Sequence, residues 1–181
     1  MANNAAKLVQ NSLSKLLGNV NKLARNNEVL VGVPRDESAR QTNEMNNATL
    51  AYIHDKGSPA ANIPARPFMD PGIKDVQDKI AKQLAQGAKG LLVQNDASVI
   101  NTSLNRAGLI AQNSIKRVIN NGIAPALALS TLQARARRGR KGAKTEIASR
   151  EAGNEATLTN AKPLVDTGQL RNSITYVVNK K

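Results

Sequence analysis

The chain has 181 residues, which suits one globular domain, and 40% of them are apolar, enough to bury a core. It has no cysteine, which excludes disulfides, thiolate metal sites and cysteine nucleophiles. Its formal net charge of +13 indicates a polyanionic partner, acidic neighbours in an assembly, or a solvated basic surface.

Aromatic residues are scarce, since Tyr52, Phe68 and Tyr176 are the only ones, so the core has to be built from Leu, Ile, Val and Ala. A core of this kind often gains stability from contacts between subunits, and we expect an oligomer. The N-terminal sequence MANNAAKLVQ lacks the basic and apolar regions of a secretory signal. No stretch approaches the roughly 20 apolar residues that span a bilayer. We therefore expect a soluble protein that is made in the cytoplasm and does not contact a membrane.

The first third of the chain predicts two helices and a strand. Apolar residues at three- and four-residue steps predict an amphipathic helix over residues 3–25. The segment Glu28–Pro34 is β-branched, short and stopped by proline, as strands are. Residues 35–46 are polar and predict an exposed loop or a long hairpin tip. Ala48–Asp55 predicts a short helix with Gly57 just past its end.

The next segment contains three prolines within residues 58–69 and then a signal for the start of a helix. Three prolines force an extended path over residues 58–69, near whose end Phe68 is a packing anchor. Asp70 and Pro71 together predict the start of a helix. Asp70 can accept hydrogen bonds from the free amides, and Pro71 needs no N–H at the first helical position.

Two long helices are predicted behind this signal. One has its apolar stripe over Ile73–Leu91, and the other has its stripe over Ile100–Val118 and ends before Gly122. Two such helices in succession predict a helical hairpin. Gly87 and Gly90 are expected to weaken the end of the first helix.

The last third of the chain changes character. Residues 124–162 hold a basic run, few large apolar residues and no clear period, and we predict a long loop or arm there within a single domain. A turn is predicted at Asp166–Gly168. It leads into a half-buried strand in which Ile174, Tyr176 and Val178 alternate.

No group of side chains predicts catalysis or metal binding. His54 is the only histidine, so a zinc site lacks nitrogen and sulfur ligands, and we expect this residue to be structural or capping. Carboxylates could in principle form an acid–base pair, but simpler roles as caps, turn residues or polar helix positions account for Asp55, Asp70, Asp75, Asp78 and Asp166. We therefore expect a protein without enzymatic activity, cofactor or metal.

The most charged feature is a run that contains six cationic residues and no acid: Arg135, Arg137, Arg138, Arg140, Lys141 and Lys144. Such a run can contact DNA phosphates without reading sequence, since no aromatic residue is interleaved for base stacking. If all six bound duplex DNA, log affinity would fall with log salt with a slope of about −5. Docking on an acidic patch of a neighbouring protein and plain solvation are the alternatives.

Two parts of the chain resemble a known family of proteins. The first is Leu50–Pro59 (LAYIHDKGSP) with Ile63–Met69 (IPARPFM), and the second is Pro163–Tyr176 (PLVDTGQLRNSITY), preceded by Ala124–Arg135 (APALALSTLQAR). Both resemble segments of the neck, tail-completion and virion-morphogenesis proteins of tailed bacteriophages. In many of those proteins the second segment precedes the first, so the order here is reversed.

The resemblance implies an α+β fold with a small, mainly antiparallel sheet flanked by long helices, to which the residues above add an extended basic loop. It implies a virion structural protein that is assembled in the host bacterial cytoplasm and forms a ring at the joint between head and tail. Its partners would be copies of itself in a cyclic homo-oligomer, other neck, portal-side or tail proteins, and packaged DNA through phosphate contacts.

Particular residues are expected to make these contacts. We expect contacts with subunits or partners at Arg66, Phe68, Asp166, Gly168 and Leu170. The six cationic residues of the basic run are the candidates for contact with DNA or an acidic partner. A basic accessory protein that binds DNA without reading its sequence is the alternative function.

Overall fold

A computed structural model describes residues 27–34, 45–94 and 97–180 of the chain, together with residues 10, 11, 14, 17 and 18. Strands β1 (Asn27–Gly32) and β2 (Thr175–Lys180) pair in a two-stranded antiparallel sheet. The helices of the described part are α1 (Asn47–Lys56), α2 (Met69–Lys74), α3 (Gln77–Gln94), α4 (Ala97–Asn121), α5 (Leu129–Arg137), α6 (Lys141–Glu151) and α7 (Gln169–Asn172). The fold class is α+β, with a small antiparallel sheet and long helices, as the sequence predicts.

The chain divides into two compact units. The first consists of Met1–Leu30, Gln77–Ile110 and Tyr176–Lys181, and the second of Val31–Val76 and Ala111–Thr175.

The first unit contains a helical hairpin of α3 and the N-terminal half of α4. Gly87 of α3 lies against Ser103, and Gly90 lies against Val99, so closely that a methyl group added at either glycine would be 2.5 Å from the facing side chain. The predicted hairpin is confirmed. Helix α3 continues past both glycines to Gln94, and their missing side chains let the two helices approach each other.

Strand β2 has the alternation that the sequence predicts. Tyr176 and Val178 are half-buried, whereas Val177 is exposed. The ring of Tyr176 lies against Gly108 of α4, where an added Cβ would be 2.3 Å from the ring. The Tyr176 hydroxyl also donates a hydrogen bond to Oδ1 of Asn105 at 3.3 Å.

The second unit is built on an apolar core. Its buried members are Ala51, Phe68, Ile115, Ile119, Leu170 and Ile174. Phe68 is completely buried, so the packing anchor predicted from the sequence is confirmed. Helix α2 approaches α4 at its backbone, since a Cβ added at Gly72 would be 2.7 Å from Cγ1 of Ile115.

Residues 124–162 are not a long loop, and that prediction was wrong. They contain α5 and α6, which pack against each other and enclose a second apolar cluster of Leu127, Leu132, Ala143 and Ala161. Arginine, lysine, alanine and glutamate are good helix formers, so the local propensity was present. The apolar period was hidden because the buried positions of the two helices include Arg135 and Glu146.

The helix predicted behind Asp70 differs in two respects. It is broken, because the Val76 amide donates to the carbonyl of Ile73, three residues back, and closes α2 with a tight turn before α3 begins. The helix also begins at Met69, and Phe68 at its N-cap position makes no side-chain cap. The prediction that Asp70 caps this helix was therefore wrong.

The remaining predicted elements have simple outcomes. Strand β1 confirms the strand predicted over Glu28–Pro34, and α1 confirms the short helix, which Gly57 follows with φ +81°. The helix predicted over residues 3–25 lies outside the described residues except for residues 10, 11, 14, 17 and 18, which are helical. The loop predicted over residues 35–46 also lies outside them, except for Met45 and Asn46. None of the described helices is long and apolar enough to cross a membrane.

Candidate interaction surface

The side chain of Asp55 performs the capping that the sequence assigned to Asp70. Its Oδ1 accepts hydrogen bonds from the amides of Phe68 at 2.9 Å and Met69 at 3.1 Å, at the start of α2. Burial opposes ionisation of Asp55, but these bonds and the ammonium of Lys56, 3.0 Å away, outweigh it. The pKa of the carboxyl is therefore held below its usual value. An acid on α1 thus fixes the segment that carries Phe68.

Arg66 is buried and braces a distant loop. Its Nε and Nη2 donate to the carbonyl of Pro125 at 3.1 and 2.9 Å, and Nη2 also reaches the carbonyl of Ala126 at 3.5 Å. Burial lowers the pKa of the guanidinium, but arginine stays charged in proteins. This side chain connects the segment behind α1 to the chain that enters α5.

Arg135 makes the same kind of brace on the other side of α5. It is only 8% exposed, and its Nη1 donates to the carbonyls of Lys162 at 3.0 Å and Val165 at 2.9 Å. Burial lowers its pKa, and nearby Arg138 and Arg140 add to that effect while Asp166 opposes it. Arg135 is therefore not an exposed member of the basic run, because its side chain is buried and its Nη1 holds backbone carbonyls.

Asp166 binds the two arginines that follow α5. Its Oδ2 accepts from Nη2 of Arg138 and its Oδ1 from Nε of Arg140, both at 2.8 Å. The turn itself is held by Thr167, whose hydroxyl accepts from the Gln169 amide at 3.3 Å. Gly168 then takes φ +82°, as the sequence predicts for this turn.

Glu146 is a structural carboxylate that the sequence did not indicate. It is completely buried in α6 and accepts from the amide and hydroxyl of Thr157, both at 2.8 Å, from Nδ2 of Asn160 at 3.0 Å and from Nε of Arg150 at 3.1 Å. Burial opposes its ionisation, yet these donors lower its pKa from 4.5 to about 2. The Glu146–Arg150 spacing was the one local signal for this network, since Thr157 and Asn160 are remote in sequence.

A cleft of about 480 Å³ opens in the second unit, and we call it the arginine cleft. Its charged or titratable lining residues are His54, Arg66, Arg135, Arg138 and Asp166. Aliphatic side chains also line it, among them Leu50, Ile63, Pro64, Leu127, Leu164 and Leu170. A concavity in which polar groups converge beside apolar side chains is typical of a binding site.

A second surface lies where α5 meets α6, and we call it the basic corner. It consists of the five exposed cationic residues Arg137, Arg138, Arg140, Lys141 and Lys144. Two of them, Arg138 and Arg140, are paired with Asp166. The basic run therefore contributes to two surfaces, with Arg135 and Arg138 lining the cleft and five side chains exposed at the corner.

The five residues predicted to touch subunits differ in their exposure and in their contacts. Asp166 and Gly168 line the arginine cleft and are partly exposed. Phe68 and Leu170 belong to the core, and Leu170 lies in the one-turn helix α7 and not at the start of a strand. Phe68 is completely buried and offers no surface, so the prediction that it contacts partners was wrong, whereas Leu170 also lines the cleft. Arg66 lines the cleft, but most of its donors serve the brace.

Comparisons of the chain with models of protein families, with curated proteins and with solved structures give no match. Among the described residues there is also no cluster of three or more histidine, aspartate or glutamate side chains that could hold a metal ion.

Proposed function

We propose that this chain is a structural protein of a tailed-bacteriophage virion, which assembles as a ring and joins head to tail in the neck or tail-completion complex. The proposal begins with the resemblance of four segments of the sequence to proteins of that class. It is supported by what those segments do in the folded chain.

The convergence of the four segments on one place is the observation that carries the proposal. They supply every residue that lines the arginine cleft except Asn62 and Arg138. They also supply Phe68, Leu170 and Ile174 to the adjoining core. Segments that are far apart in sequence thus build one rigid body and one concave surface, as expected for a unit that docks with others.

The charged residues of these segments act as braces. Asp55, Arg66 and Arg135 each hold backbone groups of a remote segment. A charge that is engaged in holding backbone suits a rigid building block better than it suits proton transfer, which needs a group within reach of a substrate. This use of charge favours a scaffold over an enzyme.

A ring would give these features a geometric purpose. Identical subunits related by a closed rotation place the same surface around a central axis. In such a ring the arginine cleft and the basic corner would each be presented once per subunit, to acidic neighbours or to the DNA that passes through.

Labelling of particles tests the proposal directly. In virions of the phage that encodes the chain, carrying a carboxy-terminal epitope tag on this protein, antibody-linked gold should appear at the joint of head and tail in negative-stain images. An untagged virion is the control. Tagged protein that is absent from particles and from their head and tail precursors would refute the proposal.

A sequence-independent DNA-binding accessory protein is the second candidate, and the basic corner favours it. Arg138 and Arg140 are paired with Asp166, whereas Arg137, Lys141 and Lys144 form no ion pair with another described residue. The latter three would give a salt slope of about −3, and all five about −4.5. Replacing Lys141 and Lys144 with glutamine distinguishes the two functions. A DNA-coating protein should lose most of its affinity, whereas a joint protein should still assemble.

A further inference from the structure

The arginine cleft carries more positive charge than the described residues around it balance. Three arginines line it, and Asp166 is the one acidic residue among its described lining residues. Asp166 is already bound by Arg138 and by Arg140 outside the cleft. Within the described part of the chain, neither Arg66 nor Arg135 forms an ion pair, and both hold only neutral carbonyls.

Some N–H donors of these two guanidinium groups are not engaged in hydrogen bonds with other described residues. Arginine has five N–H groups, and the hydrogen bonds recorded among described residues engage Nε and Nη2 of Arg66 and Nη1 of Arg135. Both side chains are more than nine-tenths buried, so a charge that reaches them interacts in a poorly solvated environment. Guanidinium groups bind carboxylates through paired, charge-assisted hydrogen bonds.

We propose that the arginine cleft is a docking site for an acidic, extended peptide segment of a different protein, with a carboxylate of that segment seated against the guanidinium groups that line it. The aliphatic walls would hold the apolar side chains next to that carboxylate. The inference rests on the proposed assembly role for the kind of partner, a neighbouring protein of the same particle.

Two observations favour an acidic peptide over duplex DNA and over a second copy of the chain. The buried arginines Arg66 and Arg135 line a concavity of about 480 Å³, which admits side chains, whereas duplex DNA would meet the exposed cations of the basic corner. A second copy of the chain is a poor source of acidic segments, because its 26 lysines and arginines outnumber its 13 acidic residues. An acidic partner chain complements the cleft in both shape and charge.

The experiment uses a fluorescein-labelled hexapeptide with the sequence Ala-Leu-Glu-Glu-Leu-Ala and a matched peptide with glutamine in place of both glutamates. Fluorescence anisotropy of the intact protein should show that the glutamate peptide binds at least about tenfold more tightly. Equal affinity for the two peptides, or no binding at about 1 mM glutamate peptide, overturns the proposal.

A pair of variants on α5 locates the binding. Thr131 is exposed and lines the cleft, whereas Ser130 beside it is exposed but does not line it. Thr131→Glu should place a competing carboxylate in the cleft and weaken the glutamate peptide about tenfold, while Ser130→Glu changes its affinity less than about twofold. Equal loss in both variants overturns the proposal, because it would show a general effect of charge.

A second copy of the chain, or a DNA duplex, as the true ligand would give different results in these experiments. Selective failure of Thr131→Glu to form oligomers, without binding of the peptide by the native chain, would assign the cleft to a second copy and overturn the proposal. Displacement of the peptide by a short DNA duplex to the same extent in both variants would assign the surface to nucleic acid. Peptide binding by a chain that never forms rings would refute the proposed ring and leave the cleft assignment intact.

Discussion

Replacement of Glu146 by glutamine is expected to destabilise the protein strongly. The carboxylate is completely buried and accepts four hydrogen bonds, two from Thr157, one from Asn160 and one from Arg150. Glutamine has nearly the same shape as glutamate, but its amide NH₂ would replace one carboxylate oxygen and would face the N–H or O–H donors that this oxygen accepts from. The substitution would also remove the negative charge that pairs with Arg150. Hydrogen bonds to a charged group contribute about 1.5–3 kcal/mol each, so we expect a loss of about 3 kcal/mol in the free energy of unfolding.

Thermal and urea unfolding followed by circular dichroism measure this loss. For a chain of this size, about 3 kcal/mol corresponds to a fall in Tm of about 6–12 °C. Glu151→Gln is the matched control, since Glu151 is exposed at the end of the same helix and should change stability by less than about 0.5 kcal/mol. If the two variants unfold alike, the carboxylate network does not hold residues 152–160 on α6.

The pH dependence of the same variant gives an independent check. Because folding lowers the pKa of Glu146 from 4.5 to about 2, its contribution is complete above pH 4.5 and is lost as the pH falls towards 2. The difference in stability between the native protein and Glu146→Gln should therefore shrink on acidification. A difference that is constant from neutral pH to about pH 2 would contradict the assignment.

Three further predictions concern other contacts. Asp55→Asn should lower the free energy of unfolding by about 1–3 kcal/mol in urea titrations, because the start of α2 loses a charged acceptor, whereas Asp70→Asn should have almost no effect. Gly72→Ala should destabilise the protein by about 1–3 kcal/mol in the same titrations, because its Cβ would be 2.7 Å from Ile115 Cγ1 and 2.8 Å from its Cα; an unchanged midpoint would contradict this packing. If the chain binds DNA, replacing Arg137 and Lys141 with glutamine should reduce the salt slope in filter-binding assays by about 2, and an unchanged slope would show that the basic corner makes no phosphate contact.

The elements that sequence analysis predicted well are those whose buried face is apolar. Helix α4 has a continuous stripe that ends before Gly122, and β2 alternates along its length, so local patterns indicated both. Helix α1 was also predictable, because Gly57 at its end takes a positive φ that few other residues adopt.

Helices α5 and α6 were missed because charges occupy their buried positions. Arg135 and Glu146 look like surface residues in a sequence, and their partners, such as Val165 and Thr157, are distant along the chain. The same reason applies to the cap of α2. A local rule assigned that role to Asp70, whereas Asp55 on another helix performs it.

The candidate surface was predicted in its residue types but not in its arrangement. The basic run was evident, yet nothing local separates Arg135, which points inward, from Arg137, which is exposed. The arginine cleft is assembled from three stretches of chain, and only folding brings Arg66, Arg135 and Asp166 together. The resemblance to neck and tail-completion proteins selected those stretches without indicating that they form one concavity.

Self-assembly of the purified chain is the most direct test of the proposed function. Size-exclusion chromatography with light scattering should give a mass that is an integral multiple of 19.3 kDa and stays constant over a range of protein concentrations. Negative-stain images of the same fractions should show closed rings with a central opening. A mass of one subunit at every concentration, alone and after mixing with the other neck proteins of the same phage, would contradict the proposed ring.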